Sequence, residues 1–470
     1  KFIHSIKVIK SRVLTIQQIL ESENKFISKF SQKKILEFAG NAIAKYLEKN
    51  FKKQRIVFIC GSGNNGNDGI LASKFLNKKK IKNYTYEIKK EKKDEKQKKL
   101  KLLIEKSDLL VDCIFGTGLN RKISGIEKKI IDILNDSKKK IISIDIPSGI
   151  NGDSGEKHSS AIGASLTIAM GFYKPAYFLL PSKKYCGKVV LLDLTLKVPK
   201  KCLPEINLIN ENFFKNKIPK FEIDINKYHK GHVLVIGGEM SGASRIVALA
   251  ARKIGAGLST LSVPEKYLKF YSGVEPGTIL SEFNFDIFKN KSVLVIGPGL
   301  GKSFDRNLLI KILEVFNGPI VIDADAISIF KNKREFFYNC IKKKRNIVLT
   351  PHSGEFRRIF DYNLNNKINA SINASKKINN TIILKGNDTV LAFPQNQVWL
   401  SNNSKNTLAT AGTGDALCGI IAGLLAQNME FKPAIVGSLW IQGQLSLSKK
   451  NVTVEDFLKF IPDVLLKLRK

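Results

Sequence analysis

The sequence lacks the features that mark secreted, zinc-binding or membrane-spanning proteins. Its six cysteines are far apart and no two of them form a Cys-x-x-Cys pair, so neither a zinc site nor a disulfide framework is indicated. We therefore expect a reducing, cytoplasmic location. Residues 1–10 have no apolar core of signal-peptide length, and no run reaches the roughly 18 apolar residues of a membrane span. No membrane partner is expected.

Acidic residues are also scarce: 41 Asp and Glu stand against 78 Lys and Arg, which leaves a net charge of +37. A surplus of this size raises nucleic-acid binding as an alternative. However, the lysines are spread along the whole chain, and the densest run, residues 89–101, contains the acids Glu91, Asp94 and Glu95. This pattern favours a solvated helix face, and we expect no nucleic-acid partner.

The length of 470 residues exceeds what one hydrophobic core usually serves, so two domains are expected. The stretch 197–226 loses periodicity and collects Pro199, Pro204 and Pro219, which indicates a linker centred near residues 210–222. We predict one domain over residues 1–212 and a second over 222–470. No short-period repeat relates the two halves.

Short apolar runs alternate with helical segments in both halves. Alternation of this kind predicts an α/β fold with parallel sheets, in which ligands bind at the carboxyl ends of the strands. Thr15 is predicted to cap the first helix. The predicted strands cover residues 55–60, 83–88, 109–115, 141–146, 166–169 and 189–192 in the first half, and 232–236, 293–296, 320–322, 347–349, 381–384 and 389–392 in the second.

The first half carries a glycine loop after its first strand and before a helix predicted from Ile70. Residues 61–66 read Gly-Ser-Gly-Asn-Asn-Gly, and Glu87 follows about 20 residues later, which keeps a Rossmann dinucleotide site open as an alternative. The polar residues of the loop also suit a hard cation, or recognition of ribose and phosphate. Asp112 lies just before Ile114-Phe115-Gly116, near the end of one predicted strand, and Asp145 ends a neighbouring one, so their side chains are expected to converge on the same crevice.

The second half contains further loops at predicted strand ends and closes with Ala-Gly-Thr-Gly-Asp-Ala-Leu-Cys-Gly at residues 411–419. Helix-start amides beside the carboxylate of Asp415 suit phosphate chemistry, because the amides hold anionic oxygens and the carboxylate can accept a proton from a hydroxyl group. Taken singly, Asp415 or Asp323 could be a helix cap and His352 a structural histidine. Lys385, next to Gly386, is interpreted as a phosphate contact.

As a set, the motifs of the first half resemble the epimerase module of the NAD(P)H-hydrate repair enzymes, which has a Rossmann-like three-layer sandwich fold. The motifs are Leu36-Glu37-x-Ala39-Gly40, Gly61-x-Gly-Asn-Asn-Gly-x-Asp-Gly69, Val111-Asp112-x-Ile-Phe-Gly116-Thr-Gly118, Asp145-Ile-Pro-Ser-Gly149 and Lys174-Pro175. That family interconverts the R and S forms of NADHX and NADPHX, the hydrated nicotinamide cofactors. The resemblance implies a potassium ion held by Asn65, Asp112 and Ser148, and proton transfer by Asp145. It implies that the substrate is held, besides Asp145, by Asn64, Asn65, Gly66, Asn67, Asp68, Gly116, Thr117, Gly118, Leu119, Asn120, Arg121 and Lys122. Asn67 stands where the family usually has glycine, a position that would be slightly strained if it required a positive φ.

In order, the loops of the second half are Gly237-Gly238 with Ser241-Gly242-Ala243, Gly297-Pro298-Gly299-Leu300-Gly301, Asp323-Ala324-Asp325-Ala326, Thr350-Pro351-His352-Ser353-Gly354-Glu355, Leu384-Lys385-Gly386 and the stretch 411–419. As a set, these motifs resemble the ADP- or ATP-dependent NAD(P)HX dehydratase module, which has the ribokinase-like α/β fold. The resemblance implies phosphorylation of the ring hydroxyl by ADP or ATP with Mg²⁺, followed by loss of phosphate. Asp415 would be the base, and Ala243, Gly301, His352 and Asp415 would contact the hydrated cofactor. The nucleotide contacts would be Lys385, Gly386, Asn387, Asp388, Thr389 and Gly414. Ser353 replaces a common proline, which a loop would tolerate.

Two other functions remain open at this point. A kinase of a small alcohol would explain the second half but leave the first half without a role. The first half could instead be a non-catalytic binding module, although both Asp112 and Asp145 are present. We also expect a homo-oligomer.

Overall fold

The computed structural model describes residues 12–90, 97–119, 121–200, 202–220, 224–403, 408–447 and 453–469. Residues 1–10, part of the basic run 89–101 and the predicted site residue Asn120 lie outside the described residues. The chain divides into two compact units, Lys1–Ile206 and Asn207–Lys470. Both units combine parallel strands with helices, which confirms the α/β class. The functional boundaries 1–212 and 222–470 stay a prediction.

The N-terminal unit is built on a parallel sheet with the strand order β3-β2-β4-β5-β6-β7. Its strands are β1 Arg12–Val13, β2 Ile56–Cys60, β3 Asn83–Glu87, β4 Leu109–Cys113, β5 Lys140–Ile144, β6 Leu166–Met170 and β7 Lys188–Leu192, and β8 Glu205–Leu208 spans the unit boundary. Its α-helices are Ile16–Lys29, Gln32–Phe51, Asn64–Lys78, Lys98–Glu105, Gly125–Asp136 and Lys183–Cys186.

This sheet is buried on both faces, and most side chains of its central strands are apolar. In β2, Phe58 packs into a cluster with Ile43 and Leu47 of the helix Gln32–Phe51. Its neighbours Val57 and Ile59 pack into a cluster on the other face, together with Leu134 of the helix Gly125–Asp136. Successive side chains of a strand point to opposite faces, so one apolar run serves both layers.

The first helix begins where the sequence predicted, whereas the third helix does not. Thr15 forms a capping box with Gln18, which confirms the predicted cap. The helix predicted from Ile70 begins at Asn64 instead, although Gly66 and Gly69 lower its helix propensity. Close packing explains the glycines, because a Cβ at Gly66 would lie 2.0 Å from a backbone oxygen of the preceding loop.

The C-terminal unit contains a sheet segment with the order β17-β16-β15-β14-β13-β12-β9-β10-β11. The pairs β15–β16 and β16–β17 are antiparallel and the others are parallel. The strands are β9 His232–Ile236, β10 Leu258–Val263, β11 Ile279–Glu282, β12 Val293–Ile296, β13 Ile320–Ile322, β14 Ile347–Leu349, β15 Thr381–Leu384, β16 Val390–Phe393 and β17 Gln397–Leu400. Sequence analysis missed β10, β11 and β17.

The α-helices of this unit cover the sheet, and close contact between two of them fixes the position of the glycine-rich loop 411–415. The α-helices are Ser241–Lys253, Arg306–Val315, Asp325–Ser328, Arg334–Lys342, Ser353–Ile359, Lys367–Ile378, Thr413–Ala426, Phe431–Ser446 and Val454–Arg469. A Cβ at Gly419 would lie 2.4 Å from the carbonyl oxygen of Val247. The helix Thr413–Ala426 therefore packs with its backbone against the helix Ser241–Lys253. Among the described residues, no helix is long and apolar enough to span a membrane.

Replacement of Gly419 by valine should destabilise the C-terminal unit. The new side chain would meet backbone atoms that cannot move without separating the two helices, and overpacking of this kind typically costs about 1–3 kcal/mol. Both tryptophans of the chain, Trp399 and Trp440, lie in this unit, so tryptophan fluorescence during urea unfolding measures its stability selectively. Gly242→Ala is the matched control, because no atom lies within 4 Å of a Cβ there. An unchanged midpoint for Gly419→Val would contradict the backbone contact.

Candidate active sites

The N-terminal unit contains a cavity of about 410 Å³ at the carboxyl ends of its strands. The cavity has an apolar wall and a polar wall. The apolar wall comes largely from the first two helices and includes Ile19, Leu20, Ile27, Ile35 and Leu36. The polar side chains that line it are Glu23, Gln32, Ser62, Asn64, Asn65, Asp68, Thr117, Arg121, Asp145 and Lys174. A cavity with one apolar wall and a few convergent polar groups is typical of a small-molecule site.

Asp145 is held in a strained conformation at the end of β5. Its φ is +67°, in the left-handed region that non-glycine residues rarely adopt. Lys174, which is buried, donates a hydrogen bond of 2.6 Å from Nζ to Asp145 Oδ1. The Tyr177 hydroxyl donates to the backbone oxygen of Asp145. The surroundings therefore fix both the backbone and the carboxylate, as expected where strain serves function.

Two further carboxyl groups, those of Asp68 and Glu23, line the same cavity as Asp145. Burial is the main cause that raises the pKa of Asp68 to about 8, and the charges of Asp145 and Glu23 add to it. Burial also raises the pKa of Glu23, helped by Asp145 and opposed by Lys174. Glu23 was not singled out in the sequence. One feature of the sequence could have revealed it: Glu23 lies four residues from both Ile19 and Ile27, a spacing that puts an acid on the apolar face of a helix.

Behind this cavity, Asp112 lies at the centre of a buried oxygen cluster. Its carboxylate accepts hydrogen bonds from the hydroxyl groups of Ser143 at 2.7 Å and Ser148 at 2.6 Å, and from the backbone amides of Ile114 and Ser148. Burial raises the pKa of Asp112 and these hydrogen bonds oppose the rise. Asn65 donates to the carbonyl oxygen of Phe115, while its Oδ1 is buried without a hydrogen-bond partner.

The cavity brings together most of the residues predicted for the first site, namely Asn64, Asn65, Asp68, Gly116, Thr117, Gly118, Leu119, Arg121 and Asp145. Gly66, Asn67 and Lys122 do not line it, and Asp112 and Ser148 lie behind it. The expected strain at Asn67 is wrong, because this residue belongs to the first turn of the helix Asn64–Lys78 and its φ is not positive. Lys174 belongs to the Lys174-Pro175 motif, but the sequence did not predict its pairing with Asp145.

In the C-terminal unit, a half-buried lysine again meets a strand-end aspartate. Lys385 follows β15, and its Nζ donates to Asp323 Oδ1 at 2.6 Å and to Oδ2 at 2.9 Å. The Cys418 thiol also donates to Asp323 Oδ2, at 3.3 Å. Burial lowers the pKa of Lys385, but the negative charge of Asp323, with smaller contributions from Cys418 and Glu355, outweighs burial and raises it. Neither Asp323 nor Cys418 was assigned a site role from sequence.

Asp415 lies in the first turn of the helix Thr413–Ala426, beside this pair. Gly412 is the N-cap and has a φ of +86°, so Asp415 is not the cap. A Cβ at Gly414 would lie 3.3 Å from Lys385 Nζ, which puts the lysine at the helix start. Burial raises the pKa of Asp415 to about 6, and Asp323, Glu355 and Asp325 add to the rise while Lys385 opposes it.

Further predicted residues border the same region. His352 pairs with Lys385 through a parallel β-bridge. Its ring caps the helix Ser353–Ile359 by accepting from the Gly354 amide at 2.9 Å, and Glu355 completes a capping box. Ser353 therefore occupies the first position of a helix, not a loop as expected. Proline is favoured at this position because its φ already suits a helix and the N–H that it lacks would have no helical partner. Serine can take its place, because it lacks only the fixed φ.

Gly301 and Ala243 lie at neighbouring loop and helix ends. The Gly301 amide donates to Asp325 Oδ2 at 3.0 Å, and a Cβ at Gly301 would lie 2.4 Å from a carboxylate oxygen of Glu239. A Cβ at Gly299 would lie 3.4 Å from the Cβ of Ala243. These contacts bring Gly301 and Ala243 close to the acids Glu239 and Asp325, which sequence analysis did not assign.

The predicted nucleotide loop, residues 385–389, is held by its own side chains. Thr389 Oγ1 accepts from the Gly386 amide at 3.1 Å and donates to the Gly386 carbonyl at 2.7 Å. Asp388 is buried and paired with Lys367, so its carboxylate shapes the loop. Within the described ranges, no group of three or more His, Cys, Asp or Glu side chains could by itself hold a metal ion.

Comparison with protein families matches each half of the chain separately. A family model described as NAD(P)H-hydrate dehydratase matches residues 233–459. A second model, described as YjeF-related protein N-terminus, matches residues 32–102 and 77–176. The N-terminal model matches the first half and the dehydratase model the second, which is the order of the motifs found in the sequence.

Bifunctional NAD(P)H-hydrate repair enzymes from other organisms are similar to this chain over nearly its whole length. A bifunctional NAD(P)H-hydrate repair enzyme from Dictyoglomus turgidum is 31% identical, over 96% of this chain and 98% of its own length. One from Coxiella burnetii is 29% identical, over 90% and 92% respectively. Among solved structures, the ADP/ATP-dependent NAD(P)H-hydrate dehydratase from Bacillus subtilis, co-crystallised with ATP and Mg²⁺, is 22% identical. It covers 56% of this chain and 98% of its own, with a TM-score of 0.47.

Replacement of Lys174 by methionine should destabilise the N-terminal unit. The variant keeps most of the side-chain volume but leaves Asp145 without its buried partner, a change that typically costs about 3–5 kcal/mol. Urea unfolding at neutral pH, followed by far-UV circular dichroism, should show the loss, while the tryptophan transition of the C-terminal unit stays in place. Lys128→Met is the matched control, because it breaks an exposed lysine–aspartate pair in the same unit and such pairs contribute little. Equal effects of the two substitutions would argue against the buried pair.

Proposed function

We propose that Asp145 and Asp415 are the two catalytic carboxylates of this chain, which belongs to the family of bifunctional NAD(P)H-hydrate repair enzymes. The protein is an enzyme with two activities. Its N-terminal part epimerises the R and S forms of NAD(P)HX, and its C-terminal part dehydrates the S form in an ADP- or ATP-dependent reaction. A small-alcohol kinase and a non-catalytic N-terminal module are both excluded by this match.

In the N-terminal unit, the cavity of about 410 Å³ carries the proposal. The hydrated nicotinamide ring is proposed to lie between the apolar wall of the first two helices and the polar wall that includes Asp145. Asn64, Asp68 and the loop 116–122 would hold the rest of the substrate. The carboxylate of Asp145 can exchange a proton with the ring because it lines the cavity and Lys174 holds it in place, while Tyr177 fixes the backbone of the same residue.

Asn65, Asp112 and Ser148 are proposed to hold the potassium ion expected from the resemblance. These residues fit such an ion, since they supply only oxygen ligands and Asn65 Oδ1 is buried without a hydrogen-bond partner. When bound, the ion would supply positive charge behind the cavity. The chain itself fixes the ligands, because Ser148 bonds both to Asp112 and to the backbone of Phe115.

In the C-terminal unit, Asp415 is proposed to take the proton of the ring hydroxyl as that oxygen attacks the terminal phosphoryl group of ADP or ATP. The amides at the start of the helix Thr413–Ala426 would hold the transferred group, as helix N-termini hold anions. Lys385 would face the same group, next to Gly414. Elimination of phosphate, together with loss of a proton from the adjacent ring carbon, then restores the C=C bond of the dihydronicotinamide ring. His352, Gly301 and Ala243 would position the hydrated cofactor.

The nucleotide is proposed to contact residues 385–389 and Gly414. Mg²⁺, bound with the nucleotide, would neutralise charge on the phosphates. The acids Asp323 and Glu355 fit this use, because Mg²⁺ commonly takes only one or two carboxylates in addition to substrate phosphates. A homo-oligomeric state and a cytoplasmic location remain predictions from the sequence.

The proposal is tested with the purified full-length chain, a mixture of both NADHX epimers, Mg²⁺, K⁺ and either ADP or ATP. NADH absorbance should recover completely, because epimerisation feeds the S form to the dehydratase. If neither nucleotide restores any absorbance, the assignment of the dehydratase is wrong.

Separate substitutions should separate the two activities. Loss of a general base typically lowers the rate about 10²- to 10⁴-fold, so Asp415→Asn should abolish NADH formation while epimerisation continues. Asp145→Asn should leave consumption of the S form unchanged, and the R form should then persist apart from slow spontaneous epimerisation. Both epimers are quantified by chromatography. A variant that stays folded but loses both activities would refute two independent sites.

The dehydratase should also lose activity in acid. A base with a raised pKa is charged only above that pKa, so kcat/KM for the S form should fall as the pH drops below about 6. Asp325→Asn removes one of the negative charges that raise the pKa of Asp415. Because the pKa of Asp415 should then be lower, the fall in kcat/KM on the acid side of the pH profile, the acid limb, should move to lower pH. Asp286→Asn, which removes an exposed charge in the same unit, should leave the limb in place. A limb that does not respond to Asp325→Asn would argue against Asp415 as the titrating base.

A further inference from the structure

Two aspartates line the N-terminal cavity, and their partners differ. Asp145 has a fixed cationic partner, because Lys174 Nζ lies 2.6 Å from its Oδ1. Asp68 has a buried Oδ1 without a hydrogen-bond partner in the described structure. A buried carboxyl oxygen that accepts nothing is costly as an anion but acceptable as a neutral acid. The two carboxyl groups are therefore suited to opposite roles.

We propose that Asp68 is a second catalytic carboxylate of the epimerase, which gives a proton to the ring hydroxyl on one face of the substrate while Asp145 accepts a proton on the other. This inference rests on the proposed function of the cavity. It goes beyond that function because it assigns separate acid and base roles to two named residues.

The proposed reaction balances without any further reagent. Protonated Asp68 transfers its proton to the hydroxyl oxygen of the hydrated ring, and the C–O bond breaks with both electrons leaving on water. The lone pair of the adjacent ring nitrogen forms a C=N⁺ bond. A water molecule then adds to the opposite face of this carbon, the nitrogen regains its lone pair, and Asp145 takes the proton of the incoming water. The reverse reaction uses the same residues with the roles exchanged.

The charged groups around Asp68 support its acid role. Glu23 from the first helix and Asp145 from the end of β5 both oppose ionisation, and burial is the largest cause of its raised pKa. Lys174, which follows β6, is engaged by Asp145, and Arg121, which also lines the cavity, pairs with Glu127 at 3.6 Å. Beneath the helix of Asp68, the thiols of Cys60 and Cys113 are buried and the pKa of Cys113 is raised by burial. No cation is therefore paired with Asp68 among these groups.

Glu23 is the competing donor, since it lines the same cavity and its pKa is also raised. Asp68 is favoured because it has a buried oxygen without a hydrogen-bond partner. The charge of Lys174, in contrast, opposes the rise in the pKa of Glu23. The two candidates can be separated by experiment.

The test compares Asp68→Asn and Glu23→Gln in the full-length enzyme, with the rate of R-to-S conversion measured from pH 6 to pH 9.5. Asp68→Asn keeps the shape but cannot donate the proton, so kcat should fall at least about 100-fold, with KM changed only a few-fold. In the wild type, kcat/KM should fall above about pH 8, and this limb should be absent from the residual activity of Asp68→Asn. Asp68→Glu should recover part of the rate and of the limb, which a purely structural role would not give. Asp136→Asn, an exposed carboxylate in the same unit, is the control and should behave as wild type.

Several outcomes would overturn the inference. Wild-type epimerisation by folded Asp68→Asn would do so, and so would loss of the alkaline limb in Glu23→Gln but not in Asp68→Asn. Dehydration of the S form serves as an internal control for folding of the rest of the chain. If the wild-type protein does not epimerise at all, or if Asp145→Asn epimerises normally, the proposed function itself fails, and that result is distinct from failure of Asp68 alone.

Discussion

Both sites depend on a lysine that lies among carboxylates at the carboxyl ends of parallel strands. Lys174 binds Asp145 in one unit, and Lys385 binds Asp323 in the other, each at 2.6 Å. Taking such ions out of water costs several kcal/mol per ion, and only a close partner of opposite charge offsets that cost. Each lysine therefore fixes one aspartate, and the loop that carries this aspartate is fixed with it.

This pairing divides the acids of each site into two kinds. The aspartate that binds the lysine is anchored by it. The neighbouring acids have no such partner, and burial together with the anchored charge raises the pKa of Asp68 and Glu23 in one unit and of Asp415 and Glu355 in the other. The raised pKa values of about 8 for Asp68 and about 6 for Asp415 suit these two groups to proton exchange near neutral pH. In each unit, a single lysine thus leaves one anchored carboxylate beside others whose pKa is raised.

The sequence predicted the α/β class, many of the strands and the main loops, because these depend on local patterns. Strands such as His232–Ile236 and Ile320–Ile322 agree to the residue, since buried parallel strands are short apolar runs with clear ends. The start of the helix Asn64–Lys78 was not predicted, because Gly66 disfavours a helix locally while packing against the loop requires it. Glu23 was missed for a similar reason: it reaches the cavity through tertiary packing, and only its place on an apolar helix face hinted at it.

Strand register explains why Asp323 and Lys385 can meet although β14 lies between their strands. Ile322 of β13 is level with Leu349 of β14, which in turn is level with Ile382 of β15. Asp323 is thus level with Ile383, and Lys385 lies two residues further along, so that by strand alternation its side chain falls on the same face of the sheet. That face is covered by the helix Thr413–Ala426, which brings Cys418 to Asp323 and Gly414 to Lys385. A slip of one residue would turn either side chain to the opposite face, away from this helix. The chemistry at Asp415 therefore depends on the register of three apolar strands as much as on the loop that contains it.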